Sequence, residues 1–169
     1  MSAVEKPARI RLGMVGGGRD AFIGGVHRMA ARLDDHYTLI AGAFSSTAEK
    51  SQLSALELGV EQTRAYDDFV QMAEREAQRD DCIEAVSIVT PNHLHYPVAK
   101  EFLSRGIHVI CDKPLTSSLE DAKALVALAE KSDALFVLTH NYTAYPMIRQ
   151  ARSMVNEGLL GEIRVVQVE

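Results

Sequence analysis

Short runs of apolar residues alternate along this chain with longer segments in which apolar residues recur every three or four positions. A strand-length run followed by a helical period is typical of β-α-β units, whose parallel strands form a sheet covered by helices on both faces. The pattern therefore predicts a doubly wound α/β fold. The runs that we interpret as strands are residues 10–15, 37–44, 85–89, 108–111 and 135–139, with a weaker one at 65–66.

The helical segments between these runs carry start and stop signals. Ser46 with Glu49, and Ser117 with Glu120, have the spacing of a capping box, while Gly59 and Gly106 are typical of helix ends. We expect helices over 67–78, 94–105 and 145–157, and one that carries Leu53 and Leu56. The apolar residues expected to face the sheet are Val26, Met29, Ala30 and Leu33 in the first helix and Ala122, Leu125, Val126 and Ala129 in the fifth.

The last residues, 163–169, are rich in β-branched side chains and predict one more strand, without a turn after it. If that strand had no neighbour, its backbone donors and acceptors would be open to pairing with other chains.

Composition narrows the class of protein. With 169 residues, 47% of them apolar, the chain can bury the core of one domain. Its 18 basic and 23 acidic residues give a formal charge of -5, which argues against nucleic-acid and acidic-membrane binding and favours a small-molecule partner. The N-terminus has no apolar signal segment, and no run reaches the roughly 18 apolar residues of a membrane helix. Cys82 and Cys111 lie far apart, so we expect no disulfide and a reducing cytoplasm.

A glycine-rich loop follows the first predicted strand. Gly16, Gly18 and Gly24 resemble the G-x-G-x-x-G motif that lets a backbone approach a pyrophosphate at a helix N-terminus. Three extra residues separate Gly18 from Gly24, so the loop is longer than the usual motif. A purely structural turn explains the glycines equally well.

The second predicted strand ends without the acidic residue that often binds the adenosine ribose. Ser45 and Ser46 stand there with Lys50 nearby, and hydroxyl groups with a lysine could accept the 2'-phosphate of NADP. Ser46 is equally explained as a helix N-cap, and Lys50 as a solvated surface residue.

Two further clusters follow strands at the same, carboxyl edge of the sheet, where ligands bind in open α/β folds. Thr90, Pro91 and Asn92 end one strand, and Asn92 could bind a cofactor amide or ribose, with His95 one helical step beyond. A turn requires such residues in any case. His93 and His95 point in different directions on a helix and make a poor metal pair, so we expect no metal site.

Lys113 follows the strand at 108–111, and Pro114 restricts the chain directly after it. A partly desolvated lysine at this edge could hold a substrate hydroxyl and share its proton, although an exposed lysine is normally only a solvated charge. Asn141 and Tyr142, which follow the last predicted strand, could line the same pocket or simply cap the next helix.

These clusters, in this order, resemble the Gfo/Idh/MocA family of glucose-fructose oxidoreductase and inositol dehydrogenase. The resemblance covers essentially the whole chain, and it rests on the stretch from Thr90 to His95 and on Gly106-x-His108-Val109-x-Cys111-Asp112-Lys113-Pro114. Asp112 stands where the family usually has glutamate.

The resemblance implies a Rossmann domain over residues 1–140, with Lys113 in the position of the family's catalytic lysine and a cis bond before Pro114. Asn92, His95 and Asp112 match positions at the cofactor site. Residues 141–169 would be a linker helix and the first strand of an α+β substrate domain that is largely absent. In this family that domain carries substrate contacts, the acid-base histidine and much of the oligomer interface.

We therefore expect an NAD- or NADP-dependent dehydrogenase of sugars, polyols or related secondary alcohols, which forms a homo-oligomer at full length. The alternative is a non-catalytic dinucleotide-binding or sensing module, because a fold does not guarantee an activity. A methyl-donor-binding Rossmann domain is disfavoured by the Asp-Lys-Pro cluster.

Overall fold

The structure, a computed structural model, describes residues 8–168. Its five strands form one parallel sheet and confirm the doubly wound α/β class. The strands are β1 (Ile10–Gly16), β2 (Tyr37–Ala43), β3 (Ala85–Val89), β4 (His108–Cys111) and β5 (Phe136–Leu138). The helices are α1 (Phe22–Leu33), α2 (Ala48–Leu58), α3 (Phe69–Glu76), α4 (His95–Leu103), α5 (Leu119–Ala129) and α6 (Pro146–Asn156).

The strands lie in the order β2-β1-β3-β4-β5, so the chain winds in one direction from β1 to β2 and in the other from β3 to β5. Right-handed crossovers then place helices on opposite faces of the sheet. In agreement, α1 packs against β2 and β3, whereas α4 packs against both α3 and α5. The reversal between β1 and β3 is the switch point at which open α/β sheets form ligand crevices.

The inward face of α1 differs from the prediction. Val26, Met29, Ala30 and Leu33 lie on the exposed side, and Leu33 is 77% exposed. The side toward the sheet instead carries the small residue Gly24, which is buried, and the partly buried His27. The period was correct and the phase was wrong, because Ile23, Gly24 and His27, rather than the predicted residues, form the inner side of the helix.

The predicted helix starts are each displaced by one residue. Thr47, not Ser46, is the N-cap of α2, and its side chain makes no capping hydrogen bond. Ser118, not Ser117, caps α5, where its Oγ accepts a hydrogen bond from the Asp121 N–H at 3.1 Å. In both helices the N-cap is the hydroxyl-bearing residue directly after the predicted serine, although neither Thr47 nor Ser118 has a Glu or Gln three residues later.

The inner face of α5 differs in part from the expectation, and α2 buries mainly small residues. In α2, Leu53 and Leu56 are exposed, while Ser51, Ser54 and Ala55 are buried. In α5, Leu125 is buried as expected, but Val126 is 49% exposed.

The weak run at 65–66 forms only one bridge, from Ala65 to Gly42 of β2. A buried ion pair holds this segment in place of a longer ladder. The Glu76 carboxylate is fully buried, and it accepts hydrogen bonds from the Arg64 guanidinium and, at 2.6 Å, from the Tyr66 hydroxyl. Burial and the adjacent carboxylate raise the pKa of Tyr66, so its hydroxyl stays a donor.

The chain divides into two compact units, of which the second begins at Thr139. This second unit contains a short 3-10 turn (Asn141–Ala144) and α6. The strand predicted at 163–169 does not form: residues 163–168 have no regular structure, and Glu169 lies outside the described residues. A strand needs a neighbour for its backbone groups, and β-branched composition alone does not supply one.

Candidate active site

The ends of three neighbouring strands bring most of the predicted site residues to one edge. Gly16 pairs with Val89, and Ile88 pairs with Cys111, so the glycine loop, Thr90 and Lys113 follow three adjacent strands at nearly the same level. Adjacent strands lie about 4.8 Å apart, which separates the ends of β1 and β4 by roughly 10 Å. A molecule that spans the edge can therefore contact all three strand ends.

The glycine loop turns sharply and packs closely against α1. Gly16 has a φ of 77°, and a Cβ added there would lie 2.9 Å from the Val89 carbonyl oxygen. A Cβ on Gly24 would lie 2.3 Å from Gly17 Cα. Gly24 thus permits the close helix-strand contact that the third glycine of the motif provides, although the loop is three residues longer.

Gly18 uses its backbone to join the loop to the end of β2. Its N–H donates to the Phe44 carbonyl at 3.1 Å, and the next N–H, of Arg19, donates to Ser54 Oγ at 3.0 Å. Ala21, the N-cap of α1, has no side-chain acceptor for the first-turn N–H groups. These N–H groups and the positive end of the helix dipole suit an anion.

A cavity of about 390 Å³ lies beside the loop. Its lining includes Gly18, Arg19, Arg28, Ser54 and Glu57. Arg19 pairs with Glu57 at 3.0 Å, and Arg28 donates to the Gly17 carbonyl at 2.5 Å. Neither Arg19 nor Arg28 was predicted as a site residue, since neither belongs to the glycine motif.

The candidate ribose and phosphate residues lie after β2. Ser45 is partly exposed, and Ser46 and Lys50 are exposed. The hydrogen bond between Gly18 and Phe44 places Ser45 directly next to a residue that contacts the glycine loop. Their role in holding NAD or NADP stays a prediction.

Thr90, Pro91 and Asn92 form the turn after β3, and Asn92 begins a short 3-10 turn (Asn92–Leu94) with an exposed side chain. Thr90 Oγ1 is buried and has no hydrogen-bond partner among the described residues. A buried hydroxyl without a partner is unfavourable by about 1–3 kcal/mol, so a ligand atom that bonds it would be stabilised.

His95 is buried, and its two ring nitrogens face protein carbonyl oxygens. Nδ1 lies 2.7 Å from the oxygen of Pro114, and Nε2 lies 3.1 Å from that of Thr90. The ring therefore joins the turn after β3 to the segment that carries Lys113. Its predicted contact with a cofactor stays a prediction.

Lys113 lies just beyond β4, and the bond between it and Pro114 is cis, as predicted. Lys113 is exposed among the described residues, and its partial desolvation beside a cofactor stays a prediction. The strand ends at the surface there, and no described residue buries the lysine. Asp112 continues the ladder, with its N–H donating to Ile88 at 2.9 Å, and its side chain is largely buried.

His27 and Ser87, which were not predicted as site residues, form a cluster with Asp112. His27 Nδ1 is 2.9 Å from Ser87 Oγ, and Nε2 is 3.6 Å from Asp112 Oδ1. Burial lowers the pKa of His27, and the Asp112 carboxylate offsets part of that effect. A serine in the middle of an otherwise apolar, buried strand was the signal that could have revealed the cluster.

Asn141 lies in the second unit, at the start of the 3-10 turn, where its side chain is exposed. Its place in the nicotinamide pocket stays a prediction.

Cys82 and Cys111 are both free thiols. Burial, with a smaller contribution from Asp112, raises the pKa of Cys111 to about 12, so this thiol stays protonated. Within residues 8–168, no helix has both the length and the apolarity that a membrane span requires.

A parallel sheet with a glycine loop at its switch point and polar strand ends at one edge defines a dinucleotide-binding domain of the Rossmann class. The comparison with known families agrees: residues 10–142 match the oxidoreductase family with an NAD-binding Rossmann fold known as Gfo/Idh/MocA. The chain belongs to this family.

Known relatives extend well beyond the length of this chain. It is 40% identical over 167 residues to the uncharacterized oxidoreductase YfiI of Bacillus subtilis, which covers 98% of this chain and 42% of YfiI. An oxidoreductase structure from Sinorhizobium meliloti is 66% identical, with a TM-score of 0.88, and covers 94% of this chain and 44% of its own.

An inositol dehydrogenase homolog from Azotobacter vinelandii, crystallised with NADH and myo-inositol, is 42% identical with a TM-score of 0.88. That match covers 92% of this chain and 41% of the homolog. The chain thus spans less than half the length of these relatives.

Proposed function

We propose that this chain is the cofactor-binding part of an NAD- or NADP-dependent dehydrogenase, which transfers a hydride between the nicotinamide and a polyol, sugar or related secondary alcohol. The observation that carries the proposal is the position of Lys113 at the carboxyl end of β4, two strands from the glycine loop on the same edge. That spacing suits a dinucleotide with its pyrophosphate at the loop and its nicotinamide near the lysine.

The cofactor would be held along the whole edge. The N–H groups at the start of α1 suit the pyrophosphate, with Gly16 and Gly18 shaping the loop. Ser45, Ser46 and Lys50 would contact the adenosine ribose or its phosphate. Thr90 Oγ1, buried without a partner in the described chain, would bond the cofactor at the turn where Pro91 and Asn92 also lie.

When bound, the nicotinamide ring supplies the acceptor for the hydride that leaves the carbinol carbon. The hydroxyl must also lose a proton for the carbonyl to form. Lys113 would orient that hydroxyl with one N–H and favour loss of its proton, which would pass to the acid-base histidine that the family resemblance implies in the second domain. Its exposure in the described chain leaves the amine accessible to a substrate.

The substrate class is a second part of the proposal. The Azotobacter vinelandii homolog was crystallised with myo-inositol, a ring polyol, at 42% identity to this chain. A secondary ring alcohol offers one hydroxyl for Lys113 and a carbon that can donate hydride. A homo-oligomer and a cytoplasmic location complete the proposal, and nucleic acid is not an expected partner.

A titration of the chain with NADH and with NADPH tests cofactor binding. The chain contains no tryptophan, so nicotinamide fluorescence has little protein background. We expect saturable binding of at least one cofactor, and a preference for NADPH that Lys50→Ala removes would assign the 2'-phosphate to Lys50. Binding of neither cofactor would contradict the proposal.

Replacement of Lys113 separates catalysis from binding. In protein of the length of its relatives, Lys113→Ala should lower turnover of a polyol or sugar by at least about 100-fold, because it removes the group that handles the proton. Cofactor affinity should change by less than about threefold. Lys123→Ala, an exposed lysine of α5, is the matched control and should retain both. Turnover that survives Lys113→Ala would exclude this lysine from the mechanism.

The alternative is a dinucleotide-binding or sensing module without chemistry. The exposure of Lys113 is the observation that favours it, since an uncovered lysine is normally only a solvated charge. Tight cofactor binding with no turnover over a panel of polyols and sugars, in protein of the relatives' length, would support this alternative.

A further inference from the structure

Two histidines, the partly buried His27 and the buried His95, contact the residues that flank Lys113. His27 of α1 contacts Asp112, the residue before the lysine, and His95 of α4 contacts the carbonyl of Pro114, the residue after it. The side chains of His27 and Asp112 are 11% and 15% exposed. Lys113 itself is exposed, so packing of its own side chain does not fix its position.

Burial lowers the pKa of His27 and so favours its neutral ring, and the contacts of that ring are compatible with this form. A carboxylate only accepts, so a hydrogen on Nε2 points at Asp112, whose Oδ1 lies 3.6 Å away. Nδ1 of the neutral ring then accepts from the Ser87 hydroxyl at 2.9 Å. Ser87 thereby fixes the ring orientation, and the ring presents its N–H to the carboxylate.

His27 also joins two parts of the candidate site. It lies in the helix that follows the glycine loop, and Asp112 lies at the end of β4. The intervening strand, β3, supplies Ser87, which pairs with Met14 of β1 on one side and Ile110 of β4 on the other. The cluster thus joins α1, β3 and the end of β4.

Apolar packing alone does not account for the burial of the His27 and Asp112 side chains. A polar group that is removed from water is unfavourable unless it is compensated, and a carboxylate more so. Replacement of His27 would remove the contact that joins the Asp112 carboxylate to α1, and Asp112 immediately precedes Lys113.

We propose that His27 is a positioning residue for Lys113: it holds Asp112 against α1, so that the lysine keeps a fixed place relative to the glycine loop. The inference rests on the proposed function and adds to it a residue outside the glycine and Asp-Lys-Pro motifs. Catalysis is sensitive to misplacement on this scale, since a shift of about 1 Å can lower a rate by 100-fold.

The test measures order at Lys113 in the 169-residue chain, by ¹⁵N relaxation of the backbone amides. In the wild-type chain we expect an order parameter of about 0.85 at Asp112 and Lys113. His27→Leu removes both ring nitrogens and should lower the value at Lys113 toward about 0.6, with the rest of the sheet unchanged. Asp112→Asn should act in the same way.

Two comparisons distinguish positioning of Lys113 by His27 from a general loss of order in the chain. His27→Gln keeps an N–H that can reach Asp112 and should restore the wild-type order parameter. The double variant, His27→Leu with Asp112→Asn, should lose no more than the larger single variant, because both remove one interaction. His36→Leu replaces an exposed histidine beyond α1 and serves as the matched control.

An unchanged order parameter at Lys113 in His27→Leu, or losses that add in the double variant, would overturn the proposal. If His27→Leu does not fold, His27→Asn, which is too short to reach Asp112, takes its place. The readout needs no cofactor, so failure of NADH binding in the wild-type chain would count against the proposed function and leave this test intact.

Discussion

At the scale of single residues, polar side chains buried beside the sheet determine more of the site than its apolar residues do. His27 and His95 each link a helix to the chain around Lys113. Because both sit where an apolar side chain would satisfy the core, their presence requires compensating partners, and the structure supplies them in Ser87, Asp112 and two carbonyl groups.

His27 should also give the chain a pH-dependent stability. Burial is the larger influence on its pKa and lowers it from 6.5, so the unfolded chain takes up a proton at higher pH than the folded chain does. The contribution of neutral His27 is therefore fully present above pH 6.5 and is lost as pH falls from there through the lower, folded pKa.

Urea unfolding at about pH 7.5 and about pH 5.5 measures this effect. The loss of unfolding free energy on acidification should be smaller in His27→Gln, which cannot titrate, than in the wild-type chain. His36→Gln, at an exposed position, should keep the wild-type loss. Equal losses in all three chains would show that His27 does not contribute.

The positions of Lys113 and the glycines at strand ends were predictable from the apolar runs before them, and the cis bond before Pro114 followed from the family resemblance. His27 and Ser87 could not be paired from the sequence, because they are 60 residues apart and meet only through the crossover of α1 onto β3.

At the scale of elements, α1 shows that the spacing of apolar residues can predict a helix without predicting which face of the helix packs on the sheet. Its apolar residues recur every three or four positions and predict a helix correctly, but the stripe they form lies on the exposed side. The sheet contact is set by Gly24, which brings the helix against Gly17. A glycine carries no hydrophobic signal, so periodicity assigns the inner face to the wrong residues.

Substitutions at two adjacent glycines of α1 should therefore have opposite effects. In Gly24→Ala the new Cβ would lie 2.4 Å from the Gly17 carbonyl oxygen, and a backbone atom cannot move aside as a side chain can. We expect a loss of about 1–3 kcal/mol in unfolding free energy and weaker NADH binding, as α1 is displaced from the loop.

Gly25→Ala is the matched control, because the nearest atom to its Cβ would be Arg28 Nη2 at 4.0 Å. Alanine is favoured over glycine in a helix by about 1 kcal/mol, so this variant should be more stable than the wild-type chain. Urea unfolding of the wild-type chain, Gly24→Ala and Gly25→Ala measures the free energies of unfolding, and an NADH titration measures the cofactor affinity of each. Equal free energies of unfolding for Gly24→Ala and Gly25→Ala would contradict the close packing of α1 against the glycine loop.

At the scale of the whole molecule, the sheet order and its crossovers bring the chemistry to one edge. All five strands were predicted to within one residue at each end, since parallel buried strands are continuous apolar runs. The segment at 65–66 forms a single bridge to Gly42, and residues 163–168 have no regular structure, so neither becomes the full strand that was predicted.

The exposed stripe of α1 has a consequence for the chain as a whole. Phe22, Val26, Met29 and Leu33 are between 42% and 83% exposed, and contiguous apolar surface of this kind promotes association. The formal charge of -5 opposes association only weakly at physiological salt, where repulsion is screened within about 8 Å. We therefore expect the chain to self-associate as its concentration rises.

Met29→Glu with Leu33→Lys removes much of that apolar surface and leaves the net charge unchanged, so it should lower the average mass measured by light scattering at high concentration. The control exchanges two exposed charges of α5, Glu120→Lys with Lys123→Glu, and should behave like the wild-type chain because it removes no apolar surface. Substitutions on an exposed face should not weaken the fold, and unfolding free energies within about 0.5 kcal/mol of each other would show this. A wild-type chain that stays monomeric over the whole range would mean that the stripe is too small to drive association by itself.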